Sequence, residues 1–209
     1  MTLALAWGFL LTKLHWGFDV LGIDPSESLS SLGKEHFGLQ IENSYLTTCS
    51  YKNGTFDVIT MIDVFEHIPN PIDNLAKAKQ LIKDDGVICI KVPNGKYNAF
   101  KLAVYKLARK SAGRDIFDAY EHVIHYTTKT FANAVDASGL KIQQIYTPKP
   151  IHPPVWHKLT GNYFQYPSPP HLDIRNYAAR EFLHLISKAE NALKLPTIFS
   201  PDLLFIISK

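Results

Sequence analysis

A chain of 209 residues, 46% hydrophobic and 20% charged, has the composition of a globular protein and is long enough to bury a core of its own. Its net charge of +3 is too small to argue for nucleic acid as a partner. Two cysteines, Cys49 and Cys89, form neither a disulfide framework nor a zinc site and point to a reducing, cytoplasmic setting.

Leu3, Ala6, Trp7, Leu10, Leu11 and Leu14 recur at helical spacing, which predicts a helix over residues 3–15 ended by Gly17. The apolar part of this start is too short to span a bilayer, and it lacks the basic flank and cleavage site of a signal peptide. Phe18–Asp24 reads as a strand broken by Pro25-Ser26, followed by a helix over 26–36 and a short edge strand over 38–41. Asn53-Gly54 marks a turn before a strand over 56–61. Residues 71–83 place Ile72, Leu75, Ala78 and Ile82 on one helical face, with lysines opposite. Asp84-Asp85-Gly86 then leads into a strand over 87–92; apolar strands without strict alternation suit a parallel sheet covered on both faces.

Residues 98–110 form a basic amphipathic helix, within a stretch from Gly86 to Arg114 that has no acidic residue. We read it as a solvated face, the sharper alternative being a dock for an anionic substrate or a weak contact with a membrane surface. Residues 111–116 are a loop, and Thr127 or Thr128 caps a helix that ends near Ser138 with Gly139 as its C′ residue. A strand over 140–146, a proline-rich excursion over 148–170, a helix over 173–193 and a strand over 203–208 complete the chain. Strands alternating with helices predict a doubly wound α/β sheet.

Within that order, Phe56–Ile68 runs an apolar strand into an acidic cluster ending in Glu66-His67, then Pro69-Asn70-Pro71, and the next strand closes on Val92-Pro93-Asn94. Ligands of open α/β sheets bind at the carboxyl ends of strands, which is where Asp63, Glu66, His67 and Asn94 fall. The block closely resembles class I S-adenosylmethionine-dependent methyltransferases, in the branch whose signature reads FDvI…EHipdP…VPN (type 11/23-like). The resemblance covers residues 4–146 and the last strand. It implies a Rossmann-like sheet of order 3-2-1-4-5-7-6 with a C-terminal antiparallel hairpin from 140–146 and 203–208. It also implies a single methyltransferase domain, with its core in 1–96, 120–146 and 203–209 and lid or insert regions at 97–119 and 148–200.

The family's glycine-rich motif is incomplete: Gly8 matches its last glycine, while Ala4 and Ala6 replace the earlier two. The first strand is then largely missing, and we read the chain as N-terminally truncated in that motif. A misassigned start, or a different element in the gap, are the other readings. Methyl groups where the cofactor needs bare backbone predict weakened binding.

By resemblance, the residues that hold S-adenosylmethionine are Gly8, Asp24, Pro25, Ser44, Tyr45, Met61, Ile62 and Asp63. Asp24 would accept from the ribose hydroxyls, unless it only caps the following helix. The adenine loop lacks the family's Asp, with Glu42 and Asn43 as substitutes and Tyr45 as a stacking ring. Glu66 and His67 are the candidate catalytic pair, His67 taking a hydroxyl proton and Glu66 orienting it, with a structural role as the plainer reading. We assign no metal. The competing idea is that Asp63, Glu66 and His67 mimic the Glu-x-x-Glu-His cation site of some catechol-type and RNA 2′-hydroxyl O-methyltransferases, closed by His122 or His125. Asn94, His122 and His125 are expected on the substrate side.

The implied function is methyl transfer to a small-molecule or carrier-linked acceptor, at oxygen, by a protein with no transmembrane segment and no specified oligomeric state. Alternatives are an inactive methyltransferase-like binding or scaffold protein, a nicotinamide-binding Rossmann protein (though no Gly-x-Gly-x-x-Gly is present), and a lipid-surface protein using the basic helix.

Overall fold

A seven-stranded sheet organises the chain in a computed structural model that describes residues 1–5, 19–107, 122–148, 174–194 and 197–209. Its strands are β1 (Thr2–Leu5), β2 (Val20–Ile23), β3 (Ile41–Glu42), β4 (Phe56–Ile62), β5 (Ile82–Pro93), β6 (Lys141–Tyr146) and β7 (Asp202–Ser208). They lie in the order β3-β2-β1-β4-β5-β7-β6, the order the resemblance implies. The first five are parallel to their neighbours, whereas β7 runs antiparallel to both β5 and β6 and gives the expected hairpin. The helices are α1 (Glu27–Phe37), α2 (Pro71–Leu81), α3 (Gly95–Leu107), α4 (Thr128–Ala137) and α5 (Ile174–Ala192).

The start of the chain corrects the sequence reading. Residues 2–5 are not the first turn of a helix but β1, which sits in the middle of the sheet and pairs with β2 and β4 together. The first strand is therefore present, and Ala4 lies inside it, opposite Gly22 and Thr60. A short apolar run fits helical and extended periods equally well. Pairing decides between them, because without β1 the facing edges of β2 and β4 would bury unmatched backbone groups. Leu3 is 0% exposed in the core. Gly8 and Ala6, with the rest of the expected helix, lie outside the described residues, as do 108–110, the loop over 111–116 and nearly all of the excursion over 148–170.

Local chemistry explains most other boundaries. The Ser26 side chain caps α1 by accepting from the Leu29 amide, and Gly38 closes it at φ 63°. Thr127 and Thr130 form a reciprocal capping box on α4, and Gly139 follows at φ 67° as expected. β5 begins earlier than the pattern suggested, so Asp84-Asp85-Gly86 lies within the strand rather than before it. A register shift between Phe56 and Val58 takes up the extra residues. Gly86 is needed there: a Cβ at this position would stand 2.9 Å from the Asp57 carbonyl oxygen.

The core lies on the face of β4, β5 and β7 that meets α2 and α4. Ile59, Met61, Ile88, Ile90, Val92, Phe205 and Ile207 pack there with Leu75, Ala78, Phe131 and Val135, all 0% exposed. Phe131 stacks on Phe205 at 3.8 Å between ring centres. This packing fixes the strands whose carboxyl tips carry the polar residues.

Candidate active site

A cleft of about 1740 Å³ opens at the carboxyl ends of β2, β4 and β5. Asp24 follows β2 directly, and one of its carboxylate oxygens accepts from the Ser26 amide at 2.8 Å in an Asx turn. Pro25, Ser44 and Tyr45 line the same end, with the Ser44 hydroxyl buried and without a hydrogen-bond partner among the described residues, and Tyr45 67% exposed. At the other end stand Ile62, Asp63, Glu66, His67, Lys91, His122 and Asp202.

Glu66 and His67 belong to a one-turn 3₁₀ helix, Phe65–His67, that leaves the tip of β4; Phe65, 0% exposed, pins the turn to the core by stacking on Tyr126. The Glu66 side chain is thereby drawn inward: the residue is 1% exposed, and neither carboxylate oxygen has a hydrogen-bond partner among the described residues. Burial pushes its carboxyl above the ordinary glutamate range and Asp63 adds to the rise, while its own backbone amide and, less strongly, His67 and His122 oppose it. His122 arrives from 56 residues away because the amides of Val123 and Ile124 both donate to the Glu66 carbonyl oxygen at 3.0 Å. His67 Nε2 is 4.0 Å and His122 Nε2 3.9 Å from the same Glu66 oxygen, and the two rings are 5.0 Å apart. One donor atom from each of Glu66, His67 and His122 lies within 4.8 Å of the others, an arrangement able to hold a metal ion.

Asp63 is not a member of this cluster. Its φ is +54°, and both its oxygens accept from Lys91 Nζ, at 2.7 and 2.8 Å. Lys91 is also 3.7 Å from Asp202, whose carboxyl is raised by burial. The sequence reading missed Lys91 and Asp202. A lone lysine near the end of an otherwise apolar strand was the available signal for the first; Asp202, at the start of the last strand, had none. Among the described lining residues, Asp24, Asp63, Glu66, Asp73 and Asp202 face one ammonium, Lys91. That excess of carboxylates favours a cationic ligand such as a sulfonium.

Of the remaining candidates, Met61 has a core side chain, 0% exposed, and the resemblance gives the cofactor role to the backbone carbonyls of its segment. Asn94 does not line the cleft. Its amide donates to the carbonyls of Thr197 and Ser200, at 2.9 and 2.8 Å, so it ties the loop before β7 to the end of β5. His125 stands 6.1 Å from the His122 ring, off the cleft wall. Glu42 binds Ser50 through both oxygens and Asn43 holds the Asp24 carbonyl, which commits both proposed substitutes for the adenine-loop Asp.

A family profile described as "Methyltransferase domain" matches residues 8–145. The chain belongs to the methyltransferase-domain family. S-adenosylmethionine is the cofactor that goes with that family. Similar proteins include the ubiquinone biosynthesis O-methyltransferase of Methylococcus capsulatus, 32% identical over 94 residues, which are 42% of this chain and 40% of that protein. The enzyme of the same name from Pasteurella multocida is 28% identical over 145 residues, 59% of this chain and 60% of that one. The matches thus span about two fifths to three fifths of these relatives. Among solved structures, an S-adenosylmethionine dependent methyltransferase from Mesorhizobium loti has a TM-score of 0.59 at 16% identity, covering 100% of this chain and 90% of that one. A SAM dependent methyltransferase from Archaeoglobus fulgidus has a TM-score of 0.61 at 16% identity, covering 100% and 85%. At that identity the structural likeness concerns the fold. No helix among the described residues of this methyltransferase domain is long and apolar enough to cross a membrane.

Proposed function

We propose that this domain transfers the methyl group of S-adenosylmethionine to a hydroxyl oxygen of a small or carrier-linked acceptor. The observation that carries this reading is the buried carboxylate of Glu66, flanked by two imidazoles and sharing one cleft with Asp24. Methyl transfer asks the protein mainly to hold sulfonium and acceptor in line. A neutral hydroxyl must in addition lose a proton, and a carboxylate–imidazole cluster at the cleft wall is the equipment for that. The names of the relatives, O-methyltransferases of ubiquinone biosynthesis, support oxygen as the acceptor atom.

Asp24 belongs to the cofactor end, where one carboxylate oxygen is already used by the Ser26 amide and the other is left for the ribose. Glu66, His67 and His122 belong to the acceptor end. The two ends predict separable defects, read by titration with S-adenosylhomocysteine and by turnover of a hydroxylated aromatic acceptor. Asp24→Asn weakens S-adenosylhomocysteine binding about 10- to 100-fold, the loss of a charge-assisted hydrogen bond. His67→Asn leaves that binding near wild type and lowers kcat about 100- to 10,000-fold. Absence of S-adenosylhomocysteine binding by the unaltered protein, or an unchanged kcat in His67→Asn, would overturn the reading.

A further inference from the structure

We propose that Glu66, His67 and His122 form a three-ligand site for a borderline divalent transition cation, of the Zn²⁺ or Co²⁺ kind, and that Lys91 keeps Asp63 out of it. The inference rests on the acceptor-end reading above and gives that cluster its ligand.

Glu66 sets the problem. An ionised carboxylate removed from water without a donor costs several kcal/mol in a protein interior, and both Glu66 oxygens are buried with no hydrogen-bond partner among the described residues. A single divalent cation answers all three side chains. The donor atoms already lie within 4.8 Å of one another, and His67 Nε2 and His122 Nε2 are 4.0 and 3.9 Å from Glu66 Oε1. Ligands held at about 2.0–2.2 Å from one ion stand roughly 3 Å apart, so closure needs side-chain movements of less than about 1 Å.

The ligand set departs from the one that the Asp63-x-x-Glu66-His67 spacing suggests. Asp63 gives both oxygens to Lys91 Nζ, and Lys91 is further held by Asp202. His122 takes the vacated place because its segment hangs from the Glu66 carbonyl. One oxygen and two imidazole nitrogens suit Zn²⁺ or Co²⁺, whereas Mg²⁺ and Ca²⁺ ask for oxygen shells. Two histidines and one carboxylate leave coordination positions open. All three residues line the cleft, so an acceptor hydroxyl bound there would meet the ion directly.

The test uses the whole chain, stripped with chelator and titrated with Co²⁺, Zn²⁺ and Mg²⁺ by calorimetry and by the visible absorption of bound Co²⁺. Expected results are one equivalent of Co²⁺ or Zn²⁺ bound, with Mg²⁺ at least about 100-fold weaker. Glu66→Gln and His122→Asn should each lose about 100-fold or more. The charge-neutral double change Asp63→Asn/Lys91→Met should bind Co²⁺ within about threefold of the unaltered protein, because it removes no ligand. Thermal unfolding and S-adenosylhomocysteine titration of every variant establish that each is folded. Failure of the unaltered protein to bind Co²⁺ or Zn²⁺ while it binds S-adenosylhomocysteine sinks this inference and leaves the proposed function standing. A preference for Mg²⁺ overturns the ligand set. A loss in the double variant as large as in Glu66→Gln shows instead that Asp63 is a ligand.

Discussion

Burying a carboxylate without a donor is the costly act at this site, and Glu66 is where the chain accepts the cost. Its pH consequence follows from the direction of the shift. A carboxyl raised in the folded state holds its proton more tightly there than in the unfolded chain. Its contribution to stability is therefore full below the unfolded value, about 4.3, and is lost as pH rises through the folded value. Burial and Asp63 drive the rise, and its own backbone amide, His67 and His122 limit it. Glu66→Gln removes the loss. In chelator-treated protein the variant should unfold at the same temperature as wild type near pH 4 and at a higher one near pH 8. Equal unfolding temperatures at both pH values in a thermal scan would contradict the burial argument. Asp63 and Asn94 carry a related lesson. Both stand at strand tips, yet one is claimed by Lys91 and the other by a neighbouring loop. A polar residue at a tip is available to ligand only when the fold leaves it uncommitted.

Among the elements, the β4–β5 pair places the site, because Asp63, Glu66 and His67 follow one strand and Lys91 lies near the carboxyl end of the other. The pair depends on the close approach at Gly86, where a Cβ would also come within 2.6 Å of Ile82 Cγ1. Gly86→Ala should cost about 1–3 kcal/mol, the usual range for overpacking a tight site. Denaturant unfolding monitored by circular dichroism measures it, and a cost below about 0.5 kcal/mol would mean that the strands part more easily than their register implies. The helices were readable because their signals are local: a serine or threonine cap, an apolar stripe and a closing glycine sit within a dozen residues. The early start of β5 was not, since Asp84-Asp85-Gly86 looks like a turn unless the partner strand is known.

For the whole molecule, the sheet is held by pairings distant in sequence, and β1 is the sharpest case. Four residues join β2 to β4, with Leu3 fully buried between them. Leu3→Ala should cost about 2–5 kcal/mol, as for other large-to-small changes in a core. If Leu3 lay instead on a surface helix, equilibrium unfolding would show almost no change. The amino-acid sequence by itself determined the α/β class, the family motif and the place of Asp24 and Glu66-His67 at strand tips, because period, turn residues and motif order are local; the strand order came only with the family resemblance. Only the tertiary structure decided that residues 2–5 form a strand, that His122 joins Glu66, and that Lys91 takes Asp63. Those outcomes depend on backbone pairing, burial and charge between segments tens of residues apart, and no local pattern encodes such a contact.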